Sequence, residues 1–200
     1  MEISSIRKLV SRLIRQQKEA YRQNMVIDTK NLRLISCDIE ILKAAIEGNE
    51  ILARRINATI QDNWTEFGVD ALKYSLDKLK KSEKENDWWT YFAIHIEENK
   101  LIGSGGYKGK PTAEGKVELG YEIAPEYRNR GLATEMAEGL IDNALRDKSV
   151  KTIIAHTLGL ENPSTKVLKK CGFQKVEEIN DPDDGLIWKW EITKAQIASL

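Results

Sequence analysis

The sequence predicts an α+β fold, and three observations predict it. Helical periodicity fills roughly the first eighty residues, a β-forming texture begins at Trp88, and a strand–helix–strand unit lies between Val117 and Leu158. In chain order, Ile3, Ile6, Leu9, Val10, Leu13 and Ile14 recur at three- and four-residue steps with Arg and Lys between them, which predicts an amphipathic helix over residues 1–25. A short strand at Leu32–Leu34 runs into Ser36-Cys37-Asp38, residues suited to cap a following helix. That helix is expected from Ile39 to about Ile60, interrupted near Gly48-Asn49. The next carries Val69, Leu72, Leu76 and Leu79 on one stripe and fades into the charged run Lys80 to Asp87. Trp89 to Ile96 is rich in β-formers, and Asn99-Lys100 makes a turn into Leu101-Ile102-Gly103. After the turn-rich stretch Gly109 to Gly115 comes a strand from Val117 to Ile123. Leu132, Met136, Leu140, Ile141, Ala144 and Leu145 then share one face of a long helix. Thr152–Leu158 reads as a strand and Ser164–Cys171 as a short helix closed by Gly172. Two last strands, Phe173–Ile179 and Leu186–Ile192, are joined through the turn sequence Asp181-Pro182-Asp183-Asp184-Gly185.

Thirty-one basic residues balance thirty-one acidic ones, so no net charge draws the chain toward nucleic acid or an anionic membrane, and neither partner is expected. The two cysteines, Cys37 and Cys171, lie far apart and outside any Cys-x-x-Cys pair, which argues against a metal site and a disulfide framework. No apolar run is long enough to span a bilayer, and the N-terminus lacks the apolar block and cleavage site of a signal peptide, so a cytoplasmic protein is expected.

The most informative segment is Val117-Glu118-Leu119-Gly120-Tyr121-Glu122-Ile123-Ala124-Pro125-Glu126-Tyr127-Arg128-Asn129-Arg130-Gly131-Leu132-Ala133-Thr134. A strand enters a short loop, and the loop opens a long helix. The first turn of a helix leaves N–H groups without partners and carries partial positive charge, which makes it a pyrophosphate site if the backbone can come close. Gly131 and Ala133 remove side-chain bulk there, and Arg128 and Arg130 add charge.

Arg128-x-x-Gly131-x-Ala133 after a strand resembles the CoA-binding signature of the GNAT acetyltransferases, Arg/Gln-x-x-Gly-x-Gly/Ala. Three further segments resemble the branch containing the ribosomal-protein N-terminal acetyltransferases. They are Asp28-Thr29-Lys30-Asn31-Leu32-Arg33-Leu34, Leu101-Ile102-Gly103, and the run from Asn162-Pro163-Ser164 to Cys171-Gly172-Phe173. All four fall in family order over residues 27 to 192. The resemblance implies a strongly twisted, mixed sheet of about six to seven strands flanked by helices. The implied organisation is a GNAT domain over residues 26–200 preceded by the extra helix of residues 1–25. It also implies acetyl-CoA as co-substrate, no metal, an amine acceptor, and a CoA loop formed by Arg128, Asn129, Arg130, Gly131, Leu132, Ala133 and Thr134.

An amine acceptor is protonated at neutral pH, with a lysine-like group near about 10.4, so something must take its proton before nitrogen attacks the thioester. Strand alternation puts Glu118, Gly120 and Glu122 on one face and Val117, Leu119, Tyr121 and Ile123 on the other. Glu118 falls where several GNAT enzymes carry a glutamate base, and a structural carboxylate paired with an arginine is the alternative. By resemblance, a free backbone N–H around Ile123 meets the thioester oxygen. The family's usual tyrosine acid is replaced by Leu168, and Ser164 matches the serine of the ribosomal-protein branch, suited to orienting the sulfur or relaying through water. Asn162 before Pro163 reads first as a helix N-cap and second as a CoA contact.

His95, His156, Trp188 and Trp190 read as packed strand residues, His156 being the less dismissible histidine because it lies one strand from Glu118. Gly103, Gly105, Gly106 and Gly109 precede no helix and so form no phosphate loop; they suit a strand end where an acceptor passes close to backbone. The expected reaction is direct transfer in a ternary complex, in a possible homodimer. The alternatives are a non-catalytic acyl-CoA binder or sensor, and an interaction module built on the N-terminal helix.

Overall fold

The structure, a computed structural model, describes residues 25–197. The helix expected over residues 1–25 therefore lies outside the described residues, Met25 excepted. Strand β1 (Val26–Asp28) turns into β2 (Leu32–Ser36), followed by helices α1 (Ile39–Glu47) and α2 (Asn49–Ile56), the short strand β3 (Thr59–Ile60) and α3 (Gly68–Leu79). A 3-10 turn leads into β4 (Thr90–His95), β5 (Lys100–Tyr107) and β6 (Lys116–Ile123), then α4 (Leu132–Leu145), β7 (Thr152–Leu158) and α5 (Pro163–Lys170). The hairpin β8 (Gln174–Asp181) and β9 (Gly185–Thr193) precedes a last turn, α6 (Lys194–Ile197).

Among the described residues the sheet has nine strands in the order β1-β2-β4-β5-β6-β7-β9-β8, with β3 beside β5. Neighbours are antiparallel except β3–β5 and β6–β7. Consecutive apolar pairs Leu34-Ile35, Tyr91-Phe92 and Leu101-Ile102 send one side chain to each face, because successive Cβ atoms alternate across a strand. Leu34, Tyr91 and Ile102 thus join the core under α4, with Leu119, Met136 and Leu140. Ile35, Phe92 and Leu101 join a second core under α1–α3, with Leu42, Leu52 and Leu79. Burial on both faces explains why these strands read as continuous apolar runs rather than alternating ones.

Several expectations are refined. The sheet holds nine strands rather than six to seven, since β1 and β3 have three and two residues and leave no readable period. Asp38 caps α1 by accepting from the Ile41 N–H at 2.7 Å, and Gly48 breaks the helix at φ 141°. Asn57, at φ 51°, ends α2 before the predicted limit near Ile60. Leu72, Leu76 and Leu79 are buried, but Val69 is exposed in the first turn of α3. Among the described residues no helix is long and apolar enough to cross a membrane.

One clamp positions α4. Glu135, in its first turn, accepts from Thr29 Oγ1 and the Asn31 N–H at 2.6 Å and from Asn31 Nδ2 at 2.8 Å, which pins the β1–β2 turn against the helix. Burial would raise this carboxyl, but those donors outweigh it and hold it below the usual carboxylate range.

Candidate active site

The site begins where the sheet opens. β6 and β7 pair in parallel only from Lys116↔Thr152 to Glu118↔Ile154, and beyond that register they part. Ala124 N donates to Ile102 O at 2.8 Å and Lys108 N to Glu118 O at 3.0 Å, so the even-numbered residues of β6 turn their backbone groups toward β5. By alternation the amides of Tyr121 and Ile123 point the other way, into the opening. Arg128 Nε donates to Ile123 O at 2.9 Å, which fixes the strand end. The Ile123 N–H, expected at the thioester oxygen, therefore lies in a rigid wall of the gap.

The loop from β6 to α4 closes one end of this gap. Asn129 (φ 61°) and Gly131 (φ 81°) both adopt left-handed backbone, and Gly131 serves as the N-cap of α4 with no side-chain cap. Glu135 N is already bonded to Gly131 O at 3.0 Å, which leaves the amides of Leu132, Ala133 and Thr134 as the helix's unpartnered donors. A Cβ on Gly131 would meet nothing within 4 Å, so the space over these donors is open. Residues and space together fit a pyrophosphate. The arginines behave differently from one another and from the expectation of a shared charge. Arg128 makes an ion pair with Glu66 in the loop before α3, and the Arg130 guanidinium lies 4.9 Å from the centre of the Tyr127 ring. The Arg128 side chain thus ties the loop to the rest of the fold, while its backbone shapes the turn.

On the opposite face lies a cleft of 110 Å³, bordered by Phe67 and Ala71 of the α3 region, by Ser104, Gly106 and Lys108, and by Gly120. Nothing would lie within 4 Å of a Cβ on Gly120, so this point of β6 is open to an incoming molecule. Glu118 stands beside it and has two partners. Lys108 makes an ion pair with it, and His156 Nδ1, from β7, lies 3.0 Å from its Oε1. Burial alone would raise the Glu118 carboxyl, but the Lys108 ammonium and the His156 imidazole hold it below the ordinary carboxylate value, so it is ionised at neutral pH.

Glu122, the other acid on this face, is buried and accepts four hydrogen bonds. The donors are Thr65 Oγ1 and Ser104 Oγ at 2.6 Å, Glu66 N at 2.7 Å and Phe67 N at 3.0 Å. It anchors the entry of α3 to β6 and so forms one wall of the cleft. Glu122→Ala strands those donors and is expected to destabilise the fold by about 3 kcal/mol, read as a lower urea midpoint; a midpoint within error of wild type would remove the anchoring role.

Beneath the gap, the hydroxyls of Tyr121 and Ser164 lie 3.2 Å apart, and burial pushes the Tyr121 phenol up to about 12. Ser164 is thus held beside a tyrosine of β6, and Leu168 is core. Asn162 is an N-cap, its side chain accepting from Thr165 N at 3.0 Å and donating to Leu160 O at 3.2 Å, which commits it to the helix. Cys171 is buried, and desolvation pushes its thiol up to about 12, far from a thiolate nucleophile. His95 packs on the Tyr127 ring away from Glu118. Gly103 and Gly105 permit strand packing, since a Cβ would come within 2.2 Å of Glu122 O and 2.5 Å of Met136 respectively. Trp190 is buried core, its Nε1 donating to Thr157 Oγ1 at 2.9 Å, and Trp188 is packed against the same core. Lys108, Tyr121, Glu122 and the Glu118–His156 contact are the parts that sequence reasoning missed. Equal face parity of Glu118 and His156 was the one available signal.

A family model for the acetyltransferase (GNAT) domain matches residues 42–174. The chain belongs to the GNAT acetyltransferase family. An N-acetyltransferase of Bacillus subtilis, YjdG, described as uncharacterized, is 25% identical over 150 residues, which is 74% of this chain and 89% of that protein. Among solved structures, the ribosomal-protein-S5-alanine acetyltransferase of Vibrio fischeri aligns with TM-score 0.63 at 18% identity, over 84% of this chain and 96% of that one. A spermidine N-acetyltransferase chimera from Vibrio cholerae and hSSAT aligns with TM-score 0.63 at 16% identity, over 86% of this chain and 100% of that one. At those identities the structures report a shared fold. The chain is an acetyltransferase of that family.

Proposed function

We propose that the protein moves an acetyl group from acetyl-CoA directly to a primary amine, either a protein N-terminus or a small amine, in a ternary complex. The observation that carries this reading is the meeting of two openings at one strand. The CoA side is formed by the start of α4 and the gap beside Tyr121 and Ile123; the acceptor side is the cleft that opens over Gly120. On this reading the amides of Leu132, Ala133 and Thr134 hold the pyrophosphate, with Asn129 and Gly131 shaping the loop and Arg130 adding charge. The Ile123 N–H steadies the oxyanion, Ser164 stands near the sulfur, and proton removal depends on Glu118, as base or through the groups it holds. A covalent acyl-enzyme is disfavoured by the raised thiols of Cys37 and Cys171, both held up by burial.

The test is release of CoA thiol when the purified chain meets acetyl-CoA with a panel of peptides and polyamines. Turnover above buffer is the expected result, and acetyl-CoA binding without turnover on any amine would favour the acyl-CoA sensor. Gly120→Leu should leave acetyl-CoA affinity unchanged and lower kcat/KM for the amine by roughly tenfold or more, because it fills the acceptor opening alone. Equal kcat/KM would place the acceptor elsewhere.

The apolar stripe of Ile3, Ile6, Leu9, Val10, Leu13 and Ile14 supports a further expectation. Burying one such side chain is worth about 1.5–3 kcal/mol, so the segment is proposed to dock on the same chain or on a second copy. Deletion of residues 2 to 24 should lower Tm at constant mass for docking in cis, or lower the mass for a dimer. Unchanged Tm, mass and activity would make the segment dispensable.

A further inference from the structure

Two partners, one of them the Lys108 ammonium, make Glu118 a poor direct proton acceptor. Its carboxylate is shared between the Lys108 ammonium and His156 Nδ1, which leaves the second imidazole nitrogen as the uncommitted basic atom of the cluster. Among the described residues Nε2 of His156 has no hydrogen-bond partner. An ionised carboxylate can only accept, so its contact with Nδ1 selects the Nδ1–H tautomer and leaves the Nε2 lone pair free.

The position of the ring is equally specific. Glu118 pairs with Ile154 across β6 and β7, so extending the register by two residues brings His156 level with Gly120, across the gap. Gly120 is the point where a Cβ would meet nothing, and the His156 side chain is 26% exposed there. Among the described residues, charged groups face the ring from four strands. Glu118 comes from β6, Lys108 from the end of β5, Lys189 is its register partner on β9, and Asp181 reaches it electrostatically from the end of β8. Lys189 is itself committed to Glu191 at 3.3 Å and Glu177 at 3.5 Å.

We propose that His156 takes the acceptor's proton at Nε2, and that Glu118 acts as a positioning residue by holding Nδ1 and stabilising the imidazolium that forms. The inference rests on the transfer reading above and names its proton path. The ammonium gives one proton to Nε2, the free amine attacks the thioester carbonyl, and the C–N bond forms. Collapse breaks the C–S bond, the second nitrogen proton goes to the departing thiolate, and His156 returns its proton to solvent. The arrangement follows the logic by which a carboxylate orients an imidazole base in hydrolytic triads.

Two measurements decide it. The chain has two histidines, so long-range ¹⁵N spectra of the full protein, with His156→Gln for assignment, report the His156 tautomer with no acceptor present. Nδ1–H is expected, and an Nε2–H tautomer overturns the proposal. In thiol-release assays using spermidine and an alanine-initiated peptide as probes, His156→Gln should lower kcat by about 10²-fold or more. The KM for acetyl-CoA should hold, the acid limb of the kcat/KM profile should flatten, and added imidazole should partly restore His156→Ala. Wild-type kcat in His156→Gln alongside collapse in Glu118→Gln would overturn the histidine's role and leave direct transfer standing, with Glu118 itself as base. Absence of turnover on any amine sinks the transfer reading instead, and the tautomer still decides the geometry.

Discussion

Gly131→Trp is expected to abolish acetyl-CoA binding, which in the wild-type chain should be one per chain. The indole would occupy the open space over the first turn of α4, where a Cβ has no neighbour within 4 Å. Losing two charge-assisted hydrogen bonds to the pyrophosphate costs about 3–6 kcal/mol, or a hundredfold in Kd at the least. The substitution also carries a backbone term, because Gly131 sits at φ 81°. Any side chain there costs about 1–2 kcal/mol of stability. Gly131→Ala separates the two effects, since it shares the strain and lacks the bulk. The alanine variant should melt lower yet bind acetyl-CoA nearly as wild type does, whereas the tryptophan variant should not bind. Calorimetry with equal binding in both would remove the pyrophosphate site from α4.

Glu118→Gln should lower kcat by about 10²–10⁴ with little change in acetyl-CoA affinity. Its sign with pH follows from the chemistry: the deficit shrinks as pH rises, because the free amine is then already populated. The Glu118 carboxyl is held below its ordinary value, so its own titration does not enter the neutral range. The variant removes a charge that holds both Lys108 and His156, and it keeps the size of the side chain. Normal kcat at neutral pH would return Glu118 to a purely structural ion pair.

What the sequence made legible was carried by contiguous residues. The CoA loop needs a strand, a turn with Gly131 and an apolar helix in direct succession, and all three are local signals. Asp38 and Asn162 were equally readable as helix caps, since a cap reaches only three residues ahead. The proposed acceptor side was hidden because it depends on register between distant segments. Glu118 meets His156 across β6 and β7, and Lys108 meets Glu118 at the end of β5. Glu122 is fixed by donors from the loop before α3, more than fifty residues away in sequence. Arg128 illustrates the same limit, because a motif arginine read as phosphate-facing is tied to Glu66 and Ile123. Val69 fitted a helical stripe by period yet lies exposed in the first turn of α3, where the described residues do not cover it.

On the proposed reading, CoA lies between the start of α4 and the gap beside β6. Amide chemical-shift mapping during titration with CoA tests it most directly. The largest shifts are expected at Gly131, Leu132, Ala133 and Thr134, with a second group at Tyr121 and Ile123. Saturable binding that leaves those amides unmoved, with shifts confined to other parts of the chain, would contradict it.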